Sequence, residues 1–477
     1  MKHTELTVRN YTGFATTIFL TGLVSVGFGA VDILLISPKG LDQVAAVGLG
    51  DVINAGLTAL LAIGVVDTFS SRLAIAEGRG DLARRLPVLA SALLVLLLVA
   101  QASAVLLSSA VQPGLRLAGQ DPRLAGLAAD FVIVRGCSLG FTILYAALNE
   151  ALKICGLKNR SLLLLVVGLA TNAALDWAFL YTPLSGRFAS PVVAVAAATT
   201  GSQLLIACFA LRFFLRRMRA RGERFTRPER ASVVAETRSM ARNAPGVGAR
   251  HFNDYAGTIT VTLLLGTLGV QVLAAVTVAT KIWSLFCRIP QACVSGTFVY
   301  YGYRLGQDES DLPTAARTLP ATTRSSPATA RSLPATARTL LRYAAVPTAA
   351  GAVTVALAAP WLVRLFAGAG QDERLTRSLL FAFLLTVPAY LLENHFGEIL
   401  SVHQRGALLA TASAVTTYAL AVPLAAVGVF VLHSPFLVTA SGVLPSAVLA
   451  TAFHRSLRKD HWTRSEVGRD TGVGVPA

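Results

Sequence analysis

The sequence predicts an all-α integral membrane protein with twelve transmembrane helices in two pseudo-symmetric six-helix bundles, and three observations carry that prediction. First, the 477 residues are 54% hydrophobic and only 14% charged. A soluble chain is roughly half apolar but about a quarter charged, and soluble domains of this combined length would lack the charge to cover their surfaces. Second, twelve runs each supply the roughly 20 apolar residues that cross a hydrocarbon core. Third, the Lys and Arg residues between those runs fall mostly on one side.

The runs are 12–37, 44–68, 86–111, 122–147, 161–182, 189–215, 246–268, 271–302, 343–366, 376–402, 407–432 and 434–455. The first has no small-residue cleavage site followed by a soluble domain, so it is expected to be a retained helix rather than a removed signal. Of the basic residues in the loops and at the span ends, 31 lie on one side, including ten arginines between Arg212 and Arg242, and 7 on the other. By the positive-inside rule the rich side is cytoplasmic, and an even number of spans puts both termini there. The expected location is the inner (plasma) membrane. This distribution also accounts for the formal net charge of +17, which basic loops facing an anionic leaflet produce. No zinc-finger, helix-turn-helix or RNA-binding signature accompanies it, so no nucleic-acid partner is expected.

The organisation expected is an N-terminal bundle (1–215), a basic cytoplasmic linker (216–245), a C-terminal bundle (246–456) and a cytoplasmic tail (457–477). An internal repeat supports two halves. QVAAVGLGDVI at 43–53 resembles QVLAAVTVATKI at 271–282, with AAV at 45–47 falling on AAV at 274–276, and the same offset of 229 places Thr68-Phe69 on Thr297-Phe298. Six helices per repeat give parallel halves with a cavity between them at mid-membrane. Within 308–340 lie four tandem heptads, LPTAART, LPATTRS, SPATARS and LPATART. Their prolines (Pro313, Pro320, Pro327, Pro334) recur every seven residues, which argues against a helix and for a disordered cytoplasmic insert. The five cysteines show neither CxxC nor zinc spacing and read as small buried apolar residues.

A charge at mid-bilayer costs about 2.5–3.5 kcal/mol on insertion scales, so ionisable residues inside spans face protein or water. In the first half these are Asp32, Asp51, Asp67, Asp130, Arg135 and Asp176. In the second they are Asp254, Lys281, Arg288, Glu393 and Glu398, with His251 and His395 nearby. Asn172 and Asp176 are four residues apart, hence on one face of span 5, and Asp32 lies late in span 1. A carboxylate on each of two helices beside an amide suits a proton or Na⁺ in a dry pocket. Asp130 and Arg135 are expected to pair in span 4. Lys281 and Arg288 share a face of span 8 and are expected to neutralise Asp254 or Glu393, while Asp51, Asn54 and Arg288 are candidate cavity-lining residues.

VDILLISPKGLDQVAAVGLGDVI at 31–53 resembles the first hairpin of the multidrug and toxic compound extrusion (MATE) family, of the multidrug/oligosaccharidyl-lipid/polysaccharide flippase superfamily. TNAALDWAFLY at 171–181 resembles the family's fifth helix, AEGRGDLARR the basic loop after the second, and GLKNRS the turn before the fifth. The resemblance implies that Asp32, Asn172 and Asp176 bind the coupling ion, and that Asp254 and Glu393 match acidic positions of a second candidate ion or substrate site, to which the position of Lys281 on span 8 adds a cation. One departure is that span 1 has no internal proline; Gly22, Gly27 and Gly29 are available for bending instead. The implied function is secondary efflux of small organic, amphipathic or cationic compounds by antiport with H⁺ or Na⁺ through alternating access. A lipid-linked oligosaccharide flippase is the alternative, needing a basic groove for which Arg135, Lys281 and Arg288 are the candidates.

No GxxxxGK[ST], HExxH, GxSxG or DDxxD motif is present, so enzymatic activity is not expected. No cofactor is expected beyond the coupling H⁺ or Na⁺, and no metal beyond a Na⁺ at Asp32 and Asp176. The expected partners are a small-molecule substrate and the bilayer, for a monomeric protein.

Overall fold

The computed structural model describes residues 5–117, 122–220, 228–310, 327–366 and 372–458, and among them there is helix but no strand. The first six spans are α1 (Val8–Ile36), α2 (Leu41–Thr58, continued through a π-turn at Ala59–Ile63 into Gly64–Arg79), α3 (Leu82–Ser109), α4 (Pro122–Cys137 and Leu139–Ile154), α5 (Lys158–Tyr181) and α6 (Pro191–Ala220). The second six are α7 (Arg230–Gly266), α8 (Val270–Ser310), α9 (Pro327–Phe366), α10 (Glu373–Leu385 and Val387–Val402), α11 (Gly406–Thr416, a π-turn at Thr417–Ala421, and Val422–Phe430) and α12 (Pro435–Ala440 and Val443–Leu457). Eight of these are individually long and apolar enough to cross a bilayer, and the two halves of α4 and of α10 meet that test as bent pairs. With α7 and α8, which carry the ionisable residues Asp254, Lys281 and Arg288, the total among the described residues is twelve.

The internal repeat is physical. α2 starts at Leu41 and α8 at Val270, and each is preceded by a glycine in the left-handed region, Gly40 at φ 119° and Gly269 at φ 114°. Only glycine enters that conformation without strain, so the two turns require it. The repeat-matched residues are buried alike: Ala46 with Ala275, Val47 with Val276, Thr68 with Thr297, Phe69 with Phe298.

Contacts divide the chain into two units. One comprises Leu20–Leu73 and Leu82–Phe252; the other combines the described residues up to Phe19, Ala74–Asp81 and those from Asn253 onward. The first unit's core is built on Ile36, Ala46, Val47, Phe131, Val132, Leu180, Val192 and Val195. The second unit's core is built on Leu265, Ala275, Val276, Ala279, Val363, Leu379 and Val429. Large apolar side chains such as Leu34, Leu106 and Leu357 (79% exposed) face outward. Such patches are rare on soluble monomers, and here they meet hydrocarbon.

Two features of the first unit set helix positions near its centre. α4 bends by 52° between its segments. At the bend, the Gln101 side chain from α3 occupies the gap in the helical ladder: its Nε2 donates to Gly136 O (2.9 Å) and its Oε1 accepts from Gly140 N (2.7 Å). A side chain inserted into the i→i−4 ladder is an established cause of a kink. Gln101→Leu would leave both backbone groups without partners, each costing about 1–3 kcal/mol; a lower thermal midpoint of the purified variant is expected. The second feature is the crossing of α2 and α7. A Cβ at Gly64 would lie 1.9 Å from Ala244 O, and one at Gly248 2.4 Å from Leu60 O. Asn243 Nδ2 donates to Thr68 Oγ1 (3.1 Å), and Arg72 pairs with Glu236, along the same contact.

In the second unit, the first turns of α1 pack on α8. The Tyr11 hydroxyl donates to Cys293 O (2.7 Å), and its ring fills the space a Cβ at Gly296 would need.

Three expectations are corrected. The last two proline heptads are helical rather than disordered: α9 begins at Pro327 and runs through Pro334. Pro327 stands in the first turn, where proline is tolerated; Pro334 lies inside the helix, where the burial of Leu333, Ala337 and Leu340 at helical spacing offsets its cost. Residues 311–326 of the expected insert lie outside the described residues. Of the expected linker 216–245, α6 extends to Ala220 and everything from Arg230 is helical, with Met240, Asn243 and Ala244 buried. The cysteines are not uniformly buried either: Cys155, Cys287 and Cys293 are, while Cys137 and Cys208 are exposed.

Candidate functional site

α5 supplies the centre of the site. Asn172 and Asp176, one helical turn apart, are both fully buried, and α1 brings Asp32, 6% exposed, against them. The Tyr181 hydroxyl donates to Leu35 O (2.6 Å), while Lys39 Nζ sits 4.4 Å from that ring's centre. These contacts hold α5 to α1 one turn beyond Asp32.

Asn172 bridges the two acids. Its Nδ2 donates to Asp32 Oδ1 (2.6 Å) and to Asp176 Oδ2 (2.9 Å), which uses both amide hydrogens and settles the amide's orientation. α6 completes the shell: Thr199 Oγ1 lies 3.2 Å from Asp32 Oδ2 and Ser202 Oγ 3.2 Å from Asn172 Oδ1, each hydroxyl shared with a carbonyl of its own helix. Three of the four carboxyl oxygens thus face a protein donor. The fourth, Asp176 Oδ1, is buried without one, and the two carboxyl groups lie within hydrogen-bonding reach of each other. Two buried carboxylates in contact repel strongly. The arrangement suits a single proton held between them, or a small cation on the free oxygen.

Arg135 stands beside this cluster, 8% exposed, at the end of the first segment of α4. Its Nη1 donates to Gln203 Oε1 (3.2 Å), which also accepts from Thr142 Oγ1 (2.8 Å). The acids within its electrostatic reach are Asp32 and Asp51. The expected Asp130–Arg135 pair does not form, for Asp130 is exposed on another face. Asp51 is exposed on α2 with Oδ2 turned toward α1 at Gly29, while Asn54 is buried. Asp67 sits 3.4 Å from His251 Nε2.

The second-half candidates are brought together only in part. Tyr390 on α10 lies within electrostatic reach of both Asp254 and Glu393, and Glu393 is buried while Asp254 is exposed. Lys281 is exposed, and Arg288 bonds Gln291 (3.2 Å), which in turn bonds the Tyr390 hydroxyl (3.3 Å). Neither cation is therefore a buried counter-ion of those acids. Thr199, Ser202 and Gln203 carry no charge to single them out in the sequence. They belong to TTGSQ at 199–203, the polar interruption of span 6.

Residues 17–178, which contain Asp32, Asn172 and Asp176, match the MatE family model. Two curated relatives are each 25% identical: a probable multidrug resistance protein NorM from Rhizobium meliloti (strain 1021), over 60% of this chain and 61% of its own length, and a multidrug resistance protein NorM from Burkholderia vietnamiensis, over 64% of each. The chain thus spans about three fifths of the length of the curated relatives it matches. A crystal structure of a MATE protein in the bent conformation superposes with a TM-score of 0.77 at 18% identity, covering 99% of both chains. A structure of a superfamily transporter from Pyrococcus furiosus, described by the reversed polarity of its binding pocket, gives 0.73 at 18% identity over 98% of both. The expected resemblance is borne out: in sequence this chain is similar to MATE proteins, and its fold is theirs across its length.

Proposed function

We propose that the chain is a secondary active efflux transporter that exports small organic, amphipathic or cationic compounds in exchange for H⁺ or Na⁺, with alternating access, in the plasma membrane and with both termini cytoplasmic. The observation that carries this reading is the buried Asp32–Asn172–Asp176 cluster, two carboxyl groups bridged by one amide across α1 and α5. Two charges there repel, so a bound cation favours the packing of α1 on α5 and its release disfavours it. A ligand shifts a conformational equilibrium only through its differential affinity for the two states, and a cation neutralising this pair has such a preference built in. The names of the two curated relatives, multidrug resistance proteins, support the substrate class.

Efflux of a fluorescent cationic dye from proteoliposomes under an imposed pH gradient, and separately under an imposed Na⁺ gradient, tests the reading. Dye movement against its gradient in at least one case is expected. Movement in neither, with correctly inserted protein, would remove the transporter assignment.

A further inference from the structure

Arg135 is not used by the function proposed above. A buried guanidinium is ordinarily locked onto a carboxylate, because an uncompensated buried charge is costly. Arg135 is held instead by a neutral partner: Nη1 donates to Gln203 Oε1, and Nε, though buried, has no acceptor. Two acids lie within its electrostatic reach, Asp32 of the cluster and Asp51 on α2, yet among the described residues it is in ion-pair contact with neither. The groups around it are therefore Asp32 from α1, Asp51 from α2, Gln203 from α6 and Thr142 from its own helix, with Asp176 of α5 behind Asp32.

We propose that Arg135 is the internal counter-ion of the empty cluster: when the coupling cation leaves, the guanidinium exchanges Gln203 for Asp32 and so keeps Na⁺ out. This rests on the coupling role proposed for Asp32 and Asp176. With the cluster loaded, its charge is already reduced and a neutral amide suffices to hold Arg135, which is the arrangement observed. With the cluster empty, two carboxylates share a buried space, and Arg135 is the positive charge within electrostatic reach of Asp32. A tethered partner acts at an effective concentration that a free one must exceed. Na⁺ competes with the guanidinium on its own terms, through charge alone. It must also displace the Asn172 and Thr199 donors to gather a shell of oxygens. A proton needs only the free lone pair of Asp176 Oδ1 and forms a covalent O–H bond there. The resident cation thus selects H⁺ as the exchanged ion.

The test is equilibrium binding of ²²Na⁺ to purified wild-type protein, R135Q, R135K, D176N and the R135Q/D176N double variant, with dye efflux measured on the same preparations. Wild type and R135K are expected to bind no Na⁺ at millimolar concentrations. R135Q should gain at least tenfold in Na⁺ affinity, a gain that R135Q/D176N should lose. Millimolar Na⁺ binding by wild type that D176N abolishes overturns the proposal however the variants fold. A folded R135Q that remains indifferent to Na⁺ overturns it equally. Both results leave the coupling role of the cluster standing if D176N alone is inactive in efflux. If D176N transports normally, that role itself has failed.

Discussion

Asp176→Asn is expected to reduce cation-driven efflux to the background of empty liposomes while leaving the thermal midpoint within a few degrees of wild type. The substitution keeps shape and volume but removes the carboxyl group that faces Asp32 across Asn172. An amide at position 176 neither repels the Asp32 carboxylate when the site is empty nor takes up a cation when it is full. Both terms of the differential affinity that would drive α1 vanish together. Asp32→Asn should behave alike, because the charge belongs to the pair. The readout is dye efflux under an imposed gradient alongside a melting curve of the same preparation. Undiminished efflux by a well-folded Asp176→Asn protein would exclude the cluster from coupling.

Gly64→Ala is expected to be among the most destabilising single-methyl additions in the chain, at about 3 kcal/mol or more, the upper range for overpacking. The new Cβ would fall 1.9 Å from Ala244 O and 2.8 Å from Gly248 N. Both are backbone atoms of α7, so no rotamer change relieves the clash and the two helices must separate. Gly48→Ala in the same helix is the matched control. Its Cβ would meet nothing within 4 Å, and replacing a helical glycine by alanine stabilises by about 0.5–1 kcal/mol. A melting experiment comparing the two variants decides the point. Equal midpoints would mean that the α2–α7 crossing tolerates a larger separation than its geometry indicates.

The residues legible in the sequence are those whose presence is costly. Asp32, Asn172 and Asp176 interrupt long apolar runs where a charge must have a reason, and the i, i+4 spacing alone places two of them on one face. Thr199 and Ser202 are invisible for the opposite reason. A hydroxyl in a membrane helix can always turn to a carbonyl of its own backbone, and both have one within reach here, so its presence signals nothing. The Asp130–Arg135 pairing fails on a geometric point. Five residues along a helix turn the side chain through about 140°, which sends Arg135 inward and Asp130 outward. The heptad prolines mislead because tertiary packing can outweigh a proline's local cost: α9 starts on Pro327 and carries Pro334 in its interior, where Leu333, Ala337 and Leu340 are buried on one face.

α1 changes unit between Phe19 and Leu20, and α7 between Phe252 and Asn253. A chain cut in the 221–227 segment would therefore yield two six-span pieces, neither of which owns a complete folding unit. Each piece would lack the helix ends that its partner contributes: Tyr11 for the backbone of Cys293, or Asn243 for Thr68. The pieces should be recoverable when made together and lost when made apart.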